Sequence, residues 1–195
     1  MTCVAALAAL TVGASTAQAQ AGAQFSLSGG VAIPTSSAFN DAFKLGWNGQ
    51  LGIGFTPANL PIGFEATGNF IRNSTETSGL DLKSQIISGT GNIVYTFTTA
   101  ESSKFHPYLL GGAGVYNAKA TGNDATGGSR TKFGLDGGAG FNFGVGRIGA
   151  FLEGRFHNIF KAIASTDGTG DTSINFVTVN LGFRFGTGSS GTSGM

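Results

Sequence analysis

The charged side chains that could do chemistry are few and occupy alternating positions among apolar residues. The chain has 195 residues, with 11 Lys and Arg, 10 Asp and Glu, and a net charge of +1. Six charged residues are candidates for one network: Glu65, Lys132, Asp136, Glu153, Arg155 and Arg184. Charges that share a space with little water must form ion pairs. We expect these residues to form a static structural network rather than a gate over a narrow pore.

Histidine chemistry is the first catalytic possibility, and the sequence disfavours it. The only histidines are His106 and His157. Nucleophilic catalysis needs a base beside a Ser or Cys, with a third group to orient the base. No Ser and carboxylate lie at such a spacing from His157, and His106 precedes Pro107 in a segment that we expect to form a turn. We therefore expect no catalytic residue and no enzymatic activity.

Metal, cofactor and nucleic-acid binding are disfavoured by the same inventory. Two distant histidines and one cysteine cannot make a zinc site. Asp167 and Asp171 supply too few oxygen ligands for a calcium loop. The glycine runs at 111–114 and 137–140 lead into no helix, so they are not phosphate loops. A net charge of +1 also gives nucleic acid no basic surface to bind.

The N-terminal segment reads as a secretory signal. Residues 2–14 are small and apolar, and Ala17-Gln18-Ala19 has the small-x-small pattern of a cleavage site. Cys3 lies inside this segment, so the mature chain would have no cysteine. We expect a signal peptide over residues 1–19, one domain over 20–185 and a Gly/Ser-rich tail over 186–195.

Period-2 alternation organises the rest of the chain and gives the charged residues their common side. We predict eight strands of about ten residues, separated by Gly, Asn, Asp, Ser and Thr: 24–33, 43–56, 62–71, 83–97, 107–118, 132–143, 148–157 and 174–185. In the sixth, Phe133 and Leu135 lie on one face, and Lys132 and Asp136 on the other. In the fifth predicted strand the two faces are ambiguous, because apolar residues occur at both odd and even positions.

The connections support an antiparallel meander. Those near 57–61, 98–106 and 144–147 are shorter on average than those near 34–42, 72–82, 118–131 and 160–173. This alternation is typical of outer-membrane barrels with both termini in the periplasm. A tight turn near residue 145 would match both faces of its hairpin in three pairs: Phe143 with Ile148, Leu135 with Phe156, and Asp136 with Arg155.

Composition indicates that lipid surrounds these strands. Only 11% of residues are charged. The chain contains 17 Phe, 3 Tyr, 1 Trp and 34 Gly. A water-covered surface would need more charge. No apolar run reaches the roughly 18 residues of a membrane-spanning helix, and among spanning structures only a closed barrel remains. The sequence therefore predicts an all-β fold, an eight-stranded antiparallel up-and-down transmembrane β-barrel.

Three motifs resemble the small outer-membrane β-barrels of the OmpA/OmpX/Opa superfamily. They are Phe105-His106-Pro107-Tyr108 with Gly111 to Gly114, the segment Phe151 to Phe156, and the closing Asn180-Leu181-Gly182-Phe183-Arg184-Phe185. The resemblance implies location in the outer membrane of a bacterial envelope and contact with outer-membrane lipids. It also implies an interior network that keeps the lumen plugged. Phe183 and Phe185 would be the assembly signal that the barrel-assembly machinery recognises.

The expected function is a structural or surface role, with at most slow permeation of small solutes. The main alternative is a cell-surface adhesin that binds surface ligands through its extracellular loops. A lipid-modifying barrel enzyme and a soluble ligand-binding barrel are less favoured. No cofactor and no nucleic-acid partner are expected.

Overall fold

Eight antiparallel strands form a closed barrel in chain order. The computed structural model describes residues 22–35, 45–57, 60–74, 83–97, 99, 103–121, 129–145, 148–163 and 172–186. The strands are β1 (Gly22–Pro34), β2 (Gly46–Thr56), β3 (Ile62–Ser74), β4 (Lys83–Thr96), β5 (Phe105–Thr121), β6 (Arg130–Val145), β7 (Ile148–Ile163) and β8 (Thr172–Gly186). β8 pairs with β1 and closes the sheet, which confirms the predicted fold.

The stagger of the strands sets the width of the barrel. Following the paired residues once around the barrel from Gln24 returns to β1 at Pro34, a shift of ten residues. Eight strands enclose an interior just wide enough for side chains to fill. No helix in the described ranges is long and apolar enough to cross a membrane.

The two faces of the sheet have opposite chemistry, as the alternation predicts. Large apolar side chains such as Leu51, Leu181 and Phe183 point outward and are more than half exposed. Polar side chains such as Gln50, Asn69 and Asn180 point inward and are buried. This arrangement inverts that of a water-soluble protein, and it places the apolar surface where lipid would contact it.

The barrel has two different ends. Here the "loop end" is the end at which β1, β3, β5 and β7 finish, and the "turn end" is the end at which β2, β4, β6 and β8 finish. β5 and β7 extend further toward the loop end than predicted. The predicted connections 118–131 and 160–173 therefore shorten to 122–129 and 164–171. Most residues of these connections, together with 1–21 and 187–195, lie outside the described residues.

The predicted register of the β6–β7 hairpin is wrong by two residues. Val145 pairs with Ile148, so Asp136 is paired with His157 rather than with Arg155. Phe143 pairs with Ala150 and Leu135 with Asn158 in the same shifted register. The physical reason is strand propensity: pairing two β-branched residues leaves Gly146 and Arg147 between the strands, and glycine is a favoured hairpin residue. A shift of two keeps every side chain on its predicted face.

The interior is layered along the barrel axis. Near the loop end a cluster of inward apolar side chains is buried: Ala32, Ile71, Ile86, Tyr116, Ile159, Ile174 and Phe176. Toward the turn end the inward side chains become polar and charged. The ambiguity in β5 resolves here, because Tyr108, Leu110 and Tyr116 point inward while Leu109 and Val115 are exposed on the outer face.

Candidate functional site

Arg155 is the centre of an ion-pair cluster that crosses the barrel interior. It lies at an inward position of β7, and its side chain is completely buried. Its guanidinium nitrogens lie 2.9 Å from Glu153, 3.1 Å from Asp136 and 3.2 Å from Glu65. Glu153 lies on β7 itself and Asp136 on the neighbouring β6, whereas Glu65 lies on β3, so this third contact crosses the barrel.

A second guanidinium extends the cluster toward the turn end. Arg184 Nη2 lies 3.5 Å from Glu65, the carboxylate that also contacts Arg155. Arg184 Nη1 donates a 2.6 Å hydrogen bond to Asn142 Oδ1. The guanidinium carbon lies 4.7 Å from the ring centroids of both Tyr108 and Phe151. Arg184 is therefore held by one carboxylate, one amide and two aromatic faces.

Neutral side chains complete the hydrogen bonding of the carboxylates and of Arg155. Tyr108 donates a 2.9 Å hydrogen bond to Glu153 Oε2, and Arg155 Nη1 lies 3.3 Å from Thr67 Oγ1. The amide of Asn92 reaches both charges when its nitrogen faces Asp136. In that orientation Nδ2 donates to Asp136 at 2.8 Å, and Oδ1 accepts from Arg155 at 3.2 Å. Buried charges are stable only when satisfied in this way.

Inward glycines make room for the large side chains of neighbouring strands. A Cβ atom at Gly140 would lie 2.5 Å from the Tyr108 ring, and one at Gly134 would lie 2.8 Å from the Tyr116 ring. These distances are too short for any real Cβ contact. The alternating glycines of β6 thus allow the two tyrosines to lie across the barrel interior.

His157 lies in the apolar layer and is completely buried. Its Nδ1 is 3.0 Å from the Tyr116 hydroxyl, its Nε2 is 3.3 Å from Thr178 Oγ1, and its ring stacks on Phe176 with centroids 4.6 Å apart. The part of the chain that the structure describes offers this ring no carboxylate hydrogen bond. The contacts of His157 are those of a packed core residue.

Five of the six predicted network residues come together, and Lys132 does not. Lys132 is half-buried at an inward position and pairs in register with Tyr116, but it makes no ion pair with a described residue. Sequence analysis missed Thr67, Asn92 and Asn142 as partners of the charges. All three have inward parity, so the alternation indicates their face, whereas their contacts with the charges depend on closure of the sheet.

A cavity with both polar and apolar lining opens at the turn end below the charged cluster. Its volume is about 420 Å³, and its lining comes from all eight strands. Glu65 and Arg184 lie on its wall, together with Gln24, His106 and Asn142. Within the described ranges no group of three or more His, Cys, Asp or Glu residues could hold a metal ion. The site therefore offers buried ion pairs and a cavity with Glu65 and Arg184 on its wall.

Comparisons with known proteins agree with this architecture. A family model of the outer membrane protein beta-barrel domain matches residues 4–185. Neisserial surface protein A is 17% identical with a TM-score of 0.58, and the match covers 86% of this chain and 99% of the neisserial chain. Ail is the attachment invasion locus protein of Yersinia pestis, and its structure was solved in complex with the heparin analogue sucrose octasulfate. It is 20% identical with a TM-score of 0.53, and the match covers 86% of this chain and 100% of Ail.

A major outer membrane protein from Thermus thermophilus is 12% identical with a TM-score of 0.57, covering 84% of this chain and 99% of its own. At these identities the similarity concerns the fold alone. No curated protein sequence matches the chain.

Proposed function

The chain belongs to the family of outer membrane protein beta-barrel domains, and we propose that it is a non-enzymatic structural barrel whose interior is closed to solutes. The protein lies in the outer membrane, as its family and its structural neighbours do. We place the loop end at the cell surface and the turn end in the periplasm, because outer-membrane barrels have short periplasmic turns.

The observation that carries the proposal is the complete burial of Arg155 between carboxylates of β3, β6 and β7. Ion pairs across the lumen occupy the space that a solute would need. The apolar layer near the loop end adds a second obstacle, since Tyr116, Ile159 and Phe176 are also buried. Moving a hydrated solute past both layers would require breaking ion pairs in a space with little water.

The absence of an enzymatic role is supported by the surroundings of the two histidines. His157 has no exposed surface, so no substrate reaches it. His106 lines the cavity at the turn end, where no described hydroxyl or carboxylate is hydrogen-bonded to it. Overproduction of the protein should leave the lipid composition of the outer membrane unchanged, and a new deacylated or acylated lipid would contradict this part of the proposal.

Conductance of the purified protein in planar lipid bilayers tests the closed interior. We expect no steady conductance from the native chain. Combining Tyr116→Ala with Phe176→Ala removes two rings from the apolar layer and should increase the frequency of conducting events. Phe133→Ala, which shortens an outward side chain of β6, is the matched control and should not. Steady open-channel conductance of the native, correctly folded barrel would overturn the proposal.

We also propose that Phe183 and Phe185 are recognised by the barrel-assembly machinery. Both side chains are exposed on the outer face of β8, which forms the closing seam with β1. Replacing Phe185 with Ala should reduce the amount of folded barrel in the outer membrane without changing the unfolding of the molecules that do fold. Unchanged membrane levels would contradict this assignment.

A further inference from the structure

The described strand carboxylates all lie on the inner face of the barrel wall, whereas cations lie on both faces. Among strand residues whose side chains the structure describes, every carboxylate (Glu65, Asp136 and Glu153) lies inside. Arg72 of β3 and Lys119 of β5 point outward and are exposed. Both lie near the loop end. The described outer face therefore carries positive charge that no described carboxylate on that face neutralises.

The strand register brings these two cations together around a polar side chain. Gln85 of β4 is paired with Arg72 on one side and with Lys119 on the other. Adjacent strands are about 4.8 Å apart, so the backbones of Arg72 and Lys119 are separated by about 10 Å. Both side chains are long enough to reach a common group placed outside Gln85. All three residues can donate hydrogen bonds to the same acceptor.

Aromatic and apolar neighbours mark this position as the membrane boundary. Trp47 is paired with Arg72, and its ring lies 5.4 Å from the ring of Phe70. Ile87, two residues from Gln85 toward the turn end, is half exposed on the outer face. Tryptophan is enriched where hydrocarbon meets headgroups, and cations facing lipid are tolerated there much better than at the bilayer centre.

We infer that Arg72, Gln85 and Lys119 form a binding site for the phosphate of a lipid headgroup in the leaflet at the loop end. A guanidinium binds phosphate oxygens in bidentate fashion, an ammonium adds a point charge, and the amide donates one more hydrogen bond. The membrane supplies the negative charge that the outer face of the protein lacks. A lipid is favoured over a soluble anion because these side chains adjoin exposed apolar residues of the outer face, such as Trp47 and Ile87.

Trp47 gives a direct readout, since it is the only tryptophan in the chain. We would titrate the folded, detergent-solubilised barrel with diphosphorylated lipid A and follow tryptophan fluorescence. Parallel titrations would use dephosphorylated lipid A, inorganic phosphate and a heparin-derived oligosaccharide. We expect saturable binding of the diphosphorylated lipid only. Combining R72Q with K119Q should raise its half-saturation concentration about tenfold or more, as expected for losing about 1 kcal/mol per cation.

Two controls keep the test decisive. K104Q removes an exposed cation at the turn end and should leave binding unchanged. The double variant must show the same heat-modifiable gel mobility as the native barrel, so that lost binding is not lost folding. Equal binding of dephosphorylated lipid A, or saturation by free phosphate or by the oligosaccharide at similar concentration, would overturn the lipid assignment. So would unchanged affinity of the R72Q/K119Q variant.

Discussion

At the scale of single residues, Arg155 is the side chain on which the interior depends most. Three carboxylates face it within 3.2 Å, and Arg155, Asp136 and Glu153 have no exposed side-chain surface. Arg155→Met would leave these carboxylates buried without their main cation. We expect the free energy of unfolding to fall by about 3 to 5 kcal/mol, the usual result of removing one partner of a buried ion pair. Urea unfolding in lipid vesicles, followed by Trp47 fluorescence, measures this loss in the free energy of unfolding.

The matched control is Lys132→Met, which removes a cation from the same interior. Lys132 is half-buried and makes no ion pair with a described residue. Its replacement should change the free energy of unfolding by about 1 kcal/mol or less. If both variants lost equal stability, positive charge in general, rather than the geometry around Arg155, would explain the effect.

Glycine at position 140 is required by two close approaches. A Cβ atom there would lie 2.5 Å from the Tyr108 ring and 2.7 Å from the carbonyl oxygen of Leu152. Gly140→Ala should therefore cost about 1 to 3 kcal/mol, the usual range for overpacking, and should weaken the hydrogen bond from Tyr108 to Glu153. Gly154 faces outward, and a Cβ atom there would have no atom within 4 Å. Gly154→Ala should therefore leave the free energy of unfolding nearly unchanged. Equal losses in the unfolding assay would contradict this explanation.

At the scale of elements, the register of the β6–β7 hairpin can be measured with disulfides. Leu135 pairs with Asn158 on the outer face, whereas the tight turn expected from the sequence would pair it with Phe156. The L135C/N158C variant should form a disulfide on mild oxidation, because directly paired Cβ atoms are about 5 Å apart. L135C/F156C should form much less. The opposite result, read from gel mobility before and after reduction, would restore the register expected from the sequence.

The alternation predicts the faces of most strands, and it fails where both faces are apolar. In β5 the adjacent residues Leu109 and Leu110 are both hydrophobic, yet one is exposed and the other is buried. The same holds for Ile86 and Ile87 of β4. Local pattern cannot detect an apolar layer inside a barrel, because only the closed sheet brings such residues together. The charged cluster was easier to predict, since charged residues at alternating positions among apolar ones mark the inner face of a strand.

At the scale of the whole molecule, the layers of the interior and the two faces of the wall depend on closure of β8 against β1. Glu65 lies on β3, Arg155 on β7 and Arg184 on β8, so their ion pairs exist only when the sheet has curled completely. In an open sheet these charged side chains could not form their ion pairs. Closure is therefore both the step that assembles the site and the property most worth measuring.

The closing seam pairs Leu27 of β1 with Phe183 of β8 on the outer face. Cysteines at these two positions should form a disulfide in the folded barrel. Because this bond would link residues near both ends of the domain, the boiled, unreduced chain should migrate faster on a gel than the reduced chain. Cysteines at Leu27 and Val115, which lies on the non-adjacent strand β5, should not react with each other. Failure of the L27C/F183C pair in heat-modifiable protein would mean that the barrel closes in a different register. Equal crosslinking of both pairs would mean that the sheet does not hold a closed form.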